Sequence, residues 1–199
     1  MNSGITGVIL AGGQSKRMGA NKAFVRLNGK PLISYALNTL EKITPNILLS
    51  AGSESIHYKN LPVVEDIYSG YGPAGGIFSA LSFSETNLNL VVSCDMPFVS
   101  SGLLKFLVDE AVGNPADVIL PVDEKGQWQT LCAVYSKSIM PQLEKAVIQK
   151  KLMLKKIISK TNYRLISIEK FRELYLPNTF YNINTPNELC ESEKLWLQI

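Results

Sequence analysis

Histidine and cysteine are scarce in this chain of 199 residues, and their scarcity excludes several kinds of site. There is one histidine, His57, and there are three scattered cysteines, Cys94, Cys132 and Cys190. Histidine metal cages, zinc ribbons and dense disulfide frameworks all need more of these residues. A Ser-His-Asp hydrolase would have to use His57, which lies away from every motif described below, so we assign it no chemistry.

The chain also lacks a strong excess of charge and any long apolar run. Its formal net charge is +3, from 20 Lys and Arg against 17 Asp and Glu, so a nucleic-acid partner is not expected. No stretch of about 18 apolar residues is present, so no membrane span or membrane partner is predicted. The first residues lack the basic region and long apolar run of a signal peptide. With three scattered cysteines, this predicts a protein of the reducing cytoplasm.

What is present is the composition of an ordinary globular protein, with 46% hydrophobic and 19% charged residues. The length suits a single domain covering 1–199. Short apolar runs alternate with segments of helical periodicity, and this alternation predicts an α/β fold, a Rossmann-like three-layer sandwich with a mostly parallel central sheet. The predicted strands are 5–10, 46–51, 61–64, 88–93, 117–121 and 130–135, and the clearest predicted helices are 31–40, 77–83 and 103–112.

Ligands of such sheets bind at the carboxyl ends of the strands. That rule selects the loops after Leu10, Val64 and Ser93. Asp66 follows the second of these strand ends and Asp95 follows the third. We expect the Asp95 carboxylate to be exposed there and to hold Mg²⁺ against phosphate oxygens, since Mg²⁺ is bound by one or two carboxylates and several waters. The alternative for each aspartate is an ordinary turn or helix cap.

The loop after Leu10 reads LAGGQSKRMGANK and has the chemistry of a triphosphate site. Gly12 and Gly13 let the backbone approach a ligand closely, and successive N–H groups in such a turn form an anion-binding concavity. Lys16, Arg17 and Lys22 add three cations within a short reach. The spacing fits neither a P-loop, which needs G-x-x-x-x-G-K-[ST], nor a dinucleotide-binding G-x-G-x-x-G. A glycine-rich surface turn is the alternative.

Several further motifs follow in order, and the last of them, NINTP, predicts a helix that begins with Thr185 as cap and Pro186 in its first turn. Together with the glycine loop, the set resembles the nucleotidyltransferases that release pyrophosphate from a nucleoside triphosphate. Among these it is most similar to the molybdenum cofactor guanylyltransferases, the MobA family. The further motifs are GKPL at 29–32, ED at 65–66, GPAGGI at 72–77, CDMPF at 94–98 and NINTP at 182–186.

This resemblance implies a nucleotide-diphospho-sugar transferase-like fold and a reaction. GMP would pass from GTP to the terminal phosphate of molybdopterin with Mg²⁺ as cofactor, and cofactor-biosynthesis proteins and recipient molybdoenzymes would be partners. Residues 1–100 would bind mainly the nucleotide and 101–199 mainly molybdopterin. Arg17, Lys22 and Asp95 would be catalytic, with Asp95 as the metal ligand. The implied binding residues are Leu10, Ala11, Gly12, Gly13, Lys22, Asp66, Asp95, Asn182 and Asn184.

The choice of nucleotide also comes from the resemblance. Related cytidylyltransferases typically read LAAG in the first loop and DQP in the later motif, so Gly13 and Met96 favour guanine. A cytidylyl- or sugar-phosphate nucleotidyltransferase remains an alternative. So does a GTP-binding module without turnover, because Asn21 stands where the family commonly has Asp.

Half of the basic residues are concentrated in one segment. Ten Lys and Arg stand against two Glu between residues 137 and 172. Apolar residues at 152, 154, 157 and 158 follow roughly helical spacing among the lysines. The segment is either a solvated helix face with snorkelling lysines or a basic rim that attracts an anionic substrate.

Overall fold

A computed structural model describes residues 2–12, 21–52 and 56–197. It contains nine strands and six α-helices within those ranges. The strands are β1 (Asn2–Leu10), β2 (Arg26–Leu27), β3 (Lys30–Pro31), β4 (Ile47–Gly52), β5 (Val63–Glu65), β6 (Thr86–Ser93), β7 (Val118–Pro121), β8 (Cys132–Ser136) and β9 (Tyr163–Ile166). The helices are α1 (Leu32–Leu40), α2 (Gly72–Phe83), α3 (Ser101–Gly113), α4 (Met140–Ile148), α5 (Leu154–Ile158) and α6 (Pro186–Trp196).

Seven strands form the central sheet in the order β5-β4-β1-β6-β8-β7-β9, and β2 and β3 form a separate hairpin. Only β8 runs antiparallel to its neighbours in the sheet; the other pairs are parallel. The mostly parallel sheet predicted from the sequence is therefore confirmed. The reversed direction of β8 and the presence of β9 were not predicted.

Helices cover both faces of the sheet, which explains why its strands are continuous apolar runs. Ile9 of β1 packs in a core with Leu37 of α1 and Leu104 of α3. Its neighbour Val8 packs in a second core on the other face, which includes Ile77 of α2 and residues of α4 and α5. Successive side chains of a strand point to opposite faces, so both must be apolar when both faces are buried. The three-layer architecture is confirmed.

Helix α2 begins at Gly72, earlier than the predicted start at 77. Glycine is a poor helix former, but here close packing requires it. A Cβ atom on Gly75 would come within 2.9 Å of Tyr71 Cβ, and one on Gly76 within 2.9 Å of Ser50 Oγ. The glycine-rich stretch therefore forms the first turns of a helix that packs closely against the end of β4.

No helix in the described ranges is long and apolar enough to cross a membrane.

Candidate active site

Four parallel strands end level with one another at one edge of the sheet. Leu10 at the end of β1 lies beside Ser50 of β4 and beside Ser93 at the end of β6, and Ser50 lies beside Val64 of β5. The strand ends that precede the three selected loops, at Leu10, Val64 and Ser93, therefore lie side by side. This edge is where the functional residues were expected.

The glycine turn after β1 is held tightly against β4. The N–H groups of Ala11 and Gly12 both donate to Ser50 O, at 2.9 and 3.2 Å. A Cβ atom on Gly12 would come within 2.7 Å of Gly52 N, a backbone clash that no side-chain motion relieves. Only glycine fits this approach. The remaining predicted residues of the loop, Gly13, Lys16 and Arg17, lie outside the described residues.

Lys22, Asp95 and Asn184 meet at this edge although they are far apart in sequence. The Lys22 ammonium forms an ion pair with Asp95 and donates a hydrogen bond to Asn184 Oδ1. Lys22 opens a 3-10 turn, Lys22–Phe24, whose cap is Asn21: its Oδ1 accepts the Ala23 N–H at 2.9 Å. Three separate sequence motifs thus contribute one polar cluster.

The prediction that the Asp95 carboxylate is exposed was wrong. Its side chain is only 11% exposed, and that of Lys22 is 13% exposed. Two backbone hydrogen bonds explain the burial. Cys94 N–H donates to Leu10 O, and Ile183 N–H donates to Asp95 O, both at 3.0 Å, so the loop is drawn onto the strand ends and covered by the NINTP segment. A buried carboxylate needs a compensating cation, which here is Lys22.

Helix α6 fixes the NINTP segment by a capping arrangement. Thr185 Oγ1 accepts the Glu188 N–H at 3.2 Å, and Glu188 Oε2 accepts the Asn184 N–H at 2.7 Å. The second bond is the main cause of the lowered pKa of Glu188. The predicted helix start at Thr185-Pro186 is confirmed. The T-x-x-E pattern that ends at Glu188 is the sequence signal of a capping box, but the bond from Asn184 N–H to Glu188 was not predicted.

Asn182, the other predicted asparagine, has a local partner. Its Nδ2 donates to Phe180 O at 3.1 Å, a bond within the same segment. The structure therefore brings Asn184 to Lys22, whereas the hydrogen bond from Asn182 to Phe180 O shapes the turn before Asn184.

Asp66 forms a second polar feature, next to the start of α2. Its N–H donates to Gly52 O at 3.2 Å, while its Oδ1 is buried without a hydrogen-bond partner among the described residues. That oxygen lies 3.7 Å from the position a Cβ atom would take on Gly76. Burial raises the pKa of Asp66. An unsatisfied carboxylate oxygen beside side-chain-free backbone is a ready acceptor for N–H or O–H groups of a ligand.

The residues present fit a Mg²⁺ ion that shares its coordination with a substrate. Asp95 Oδ1 is buried and has no hydrogen-bond partner in the described part of the chain, so it is an open oxygen ligand. The described ranges contain no group of three or more His, Cys, Asp or Glu that could hold a metal. Mg²⁺ does not need such a cage, because it is typically held by one or two carboxylates together with phosphates and water.

Comparison with known proteins finds relatives over most of the chain. The family model of the MobA-like NTP transferase domain matches residues 7–164. A protein of Flavobacterium johnsoniae named "Probable molybdenum cofactor guanylyltransferase" is 32% identical over 185 residues, which are 93% of this chain and 94% of that protein. The crystal structure of "Molybdopterin-guanine dinucleotide biosynthesis protein A" from Archaeoglobus fulgidus superposes with a TM-score of 0.85 at 27% identity, covering 98% of this chain and 100% of that one.

The fold extends to enzymes with a different nucleotide in their names. The 2-C-methyl-D-erythritol 4-phosphate cytidylyltransferase of Thermus thermophilus superposes with a TM-score of 0.70 at 16% identity, covering 96% of this chain and 98% of that one. At that identity the likeness concerns the nucleotide-diphospho-sugar transferase fold alone. With the family model covering most of its length and relatives above 30% identity, this chain belongs to the MobA-like NTP transferase family.

Proposed function

We propose that this nucleotidyltransferase moves GMP from GTP to the terminal phosphate of molybdopterin, forming the molybdopterin guanine dinucleotide and releasing pyrophosphate. The observation that carries the proposal is the cluster of Lys22, Asp95 and Asn184 beside the Gly12 turn, at the carboxyl edge of the sheet. The names of the relatives supply the two substrates. Proteins that deliver molybdopterin or receive the dinucleotide are part of the same proposal.

The reaction needs no general base. A phosphate monoester has a second pKa near 6, so the attacking oxygen is already largely ionised at neutral pH. It forms a bond to the α-phosphorus of GTP, and the bond from that phosphorus to the oxygen bridging to the β-phosphate breaks. The chain then has two tasks, to align two anions and to neutralise their charge. The scarcity of histidine in the chain is compatible with this chemistry, because no histidine base is required.

Each site residue has a role in this scheme. The backbone of residues 10–13 borders the phosphates, and Lys22 and Arg17 hold the triphosphate. Asp95 binds Mg²⁺, which supplies charge neutralisation at the phosphates when bound. Asp66 accepts hydrogen bonds from the base or ribose, while Asn182 and Asn184 lie on the molybdopterin side. Residues 1–100 accordingly bind mainly the nucleotide and 101–199 mainly molybdopterin, within one domain.

Asp66→Asn is expected to weaken GTP binding about tenfold, the cost of losing a hydrogen bond to a charged acceptor. The same change should raise the melting temperature of the free protein at pH 7 by about 1–3 °C, a small gain because the group is partly solvated. Burial raises the pKa of Asp66, so the stabilisation by its neutral form is present at low pH and lost as the pH rises through that pKa. The difference in melting temperature should therefore grow between pH 4 and pH 7.

Thermal unfolding across this pH range and GTP titration measure the two effects. Glu85→Gln is the matched control, because Glu85 is exposed in the turn before β6. It should change neither the pH profile nor GTP binding. A variant of Asp66 that loses stability at pH 7, or binds GTP like the wild type, would contradict the assigned role.

The proposed function is tested by measuring pyrophosphate release on mixing the protein with Mg²⁺, molybdopterin and one nucleotide. We expect release with GTP and little with CTP. Release with CTP, or with a sugar phosphate in place of molybdopterin, would instead identify a related nucleotidyltransferase. GTP binding without release would identify a module that has lost turnover.

A further inference from the structure

A basic groove lies between α4 and α5, apart from the cluster of Lys22, Asp95 and Asn184. It encloses about 510 Å³, a volume typical of ligand sites. Its walls are α4, α5 and the turns that follow them. No Asp or Glu lines the groove. The four lysines that line it are Lys145, Lys151, Lys156 and Lys160.

No carboxylate of the described residues forms an ion pair with a groove lysine. Lys22, Lys59 and Lys105 pair with carboxylates elsewhere in the chain. The side chains of the four groove lysines form no ion pair and no hydrogen bond with any described residue. Like charges gathered on one surface repel one another. A face that served only solubility would mix both signs, whereas 144–160 contains six lysines and one glutamate. The concentration of charge points to an anionic occupant.

The same surface is also apolar. Ala146 and Ile157 are buried in the groove floor. Met153, which lines the groove, is 59% exposed. Exposed apolar side chains beside a cavity mark interaction sites, and methionine adapts its shape to a partner. A free phosphate would use the lysines but leave this apolar surface uncovered.

We infer that this groove docks an acidic amphipathic helix of a partner protein. The apolar face of such a helix would cover the floor and Met153, and its carboxylates would pair with the lysines on both walls, the usual arrangement of a helix in a groove. Helix α4 has nine residues, which is about 13 Å of helix or about two and a half turns, so two to three turns of a partner match its length. This surface is separate from the proposed transfer site, and docking does not depend on the identity of its substrates.

The test uses a fluorescein-labelled helical peptide of about 14 residues, with leucine at positions i, i+3, i+4 and i+7 and glutamate at most others. Fluorescence anisotropy should show saturable binding to the full chain. The double variant Lys145→Glu/Lys156→Glu should bind at least about tenfold more weakly, in keeping with the loss of two charge pairs. A peptide with serine in place of leucine should bind about fivefold more weakly to the wild type.

The matched control is Lys42→Glu/Lys170→Glu, which changes the net charge equally at exposed lysines outside the groove. It should bind the leucine peptide within about twofold of the wild type, and both double variants should keep wild-type pyrophosphate release. Equal losses in the two double variants would overturn the inference, since the attraction would then be general. The inference would also be overturned if the serine peptide bound as tightly as the leucine peptide and tripolyphosphate displaced both, because the groove would then be a simple anion site. Loss of turnover in the groove variant alone would identify a substrate rim and overturn it as well.

Discussion

Asp95→Asn is expected to slow dinucleotide formation by about 100-fold or more, the usual cost of removing one electrostatic contact to the reacting charges. The carboxylate lies at the end of β6 with its Oδ1 buried and unpartnered among the described residues, and it is the single acidic side chain in contact with Lys22 there. The amide keeps the shape and can still accept from Lys22, so the fold should remain. Asp95→Ala should be at least as slow.

Pyrophosphate release at saturating GTP and Mg²⁺ measures this effect, and thermal unfolding checks the fold. Asp109→Asn serves as the control, because Asp109 is exposed on α3 and pairs with Lys105 one helical turn away. It should turn over like the wild type and lose a few tenths of a kcal/mol of stability. Turnover of the Asp95→Asn protein near the wild-type rate would remove Asp95 from the mechanism.

Lys22→Met is expected to act in opposite directions on transfer and on metal binding. Transfer should fall about 100-fold, because the cation proposed to hold the triphosphate is lost. Binding of Mn²⁺ in the absence of nucleotide should tighten about tenfold, because the ammonium that pairs with Asp95 competes with a cation for the same carboxylate. The Lys22–Asp95 ion pair would therefore compete with a metal held by Asp95, and metal binding would free the Lys22 ammonium for phosphates.

Titration of Mn²⁺ followed by electron paramagnetic resonance measures the metal effect without any turnover. Lys22→Arg keeps the charge and should leave Mn²⁺ binding at the wild-type level, although its planar head group fits the phosphates differently. Adding Asp95→Asn to Lys22→Met should abolish the tightening. Unchanged Mn²⁺ affinity in Lys22→Met would show that the ion pair does not compete with the metal.

The edge of the sheet was predictable from the sequence because local patterns encode it. Short apolar runs covered on both faces marked β1, β4 and β6, and the rule that ligands bind at the carboxyl ends of parallel strands then located the site. The cap at Thr185 followed equally from local chemistry. By contrast, β9 is a four-residue strand, YRLI, with exposed positions, so it carried too weak a pattern to be recognised.

The burial and the ion pair of Asp95 were not predictable from the sequence, because they depend on contacts between distant segments. Lys22 and Asp95 are 73 residues apart, and Lys22 and Asn184 are 162 apart. The motifs place Lys22, Asp95 and Asn184 in loops. They do not show that the Lys22 ammonium bonds both Asp95 and Asn184. The cover over Asp95 likewise depends on one backbone bond from Ile183. Periodicity and motif spacing contain no information about such contacts.

The pairing of β1 with β6 has a consequence for how the chain folds. These adjacent strands are distant in sequence: the hydroxyls of Thr6 and Thr86, 80 residues apart, lie 2.8 Å from each other across the pair. Closing so large a loop is slow, and domains dominated by such contacts fold in milliseconds to seconds. The Gly12 turn follows one of these strands and Asp95 follows the other, so collapsed intermediates that lack this pair also lack the site. A nucleotide that binds at the proposed site would therefore bind the folded chain selectively and shift the folding equilibrium towards it.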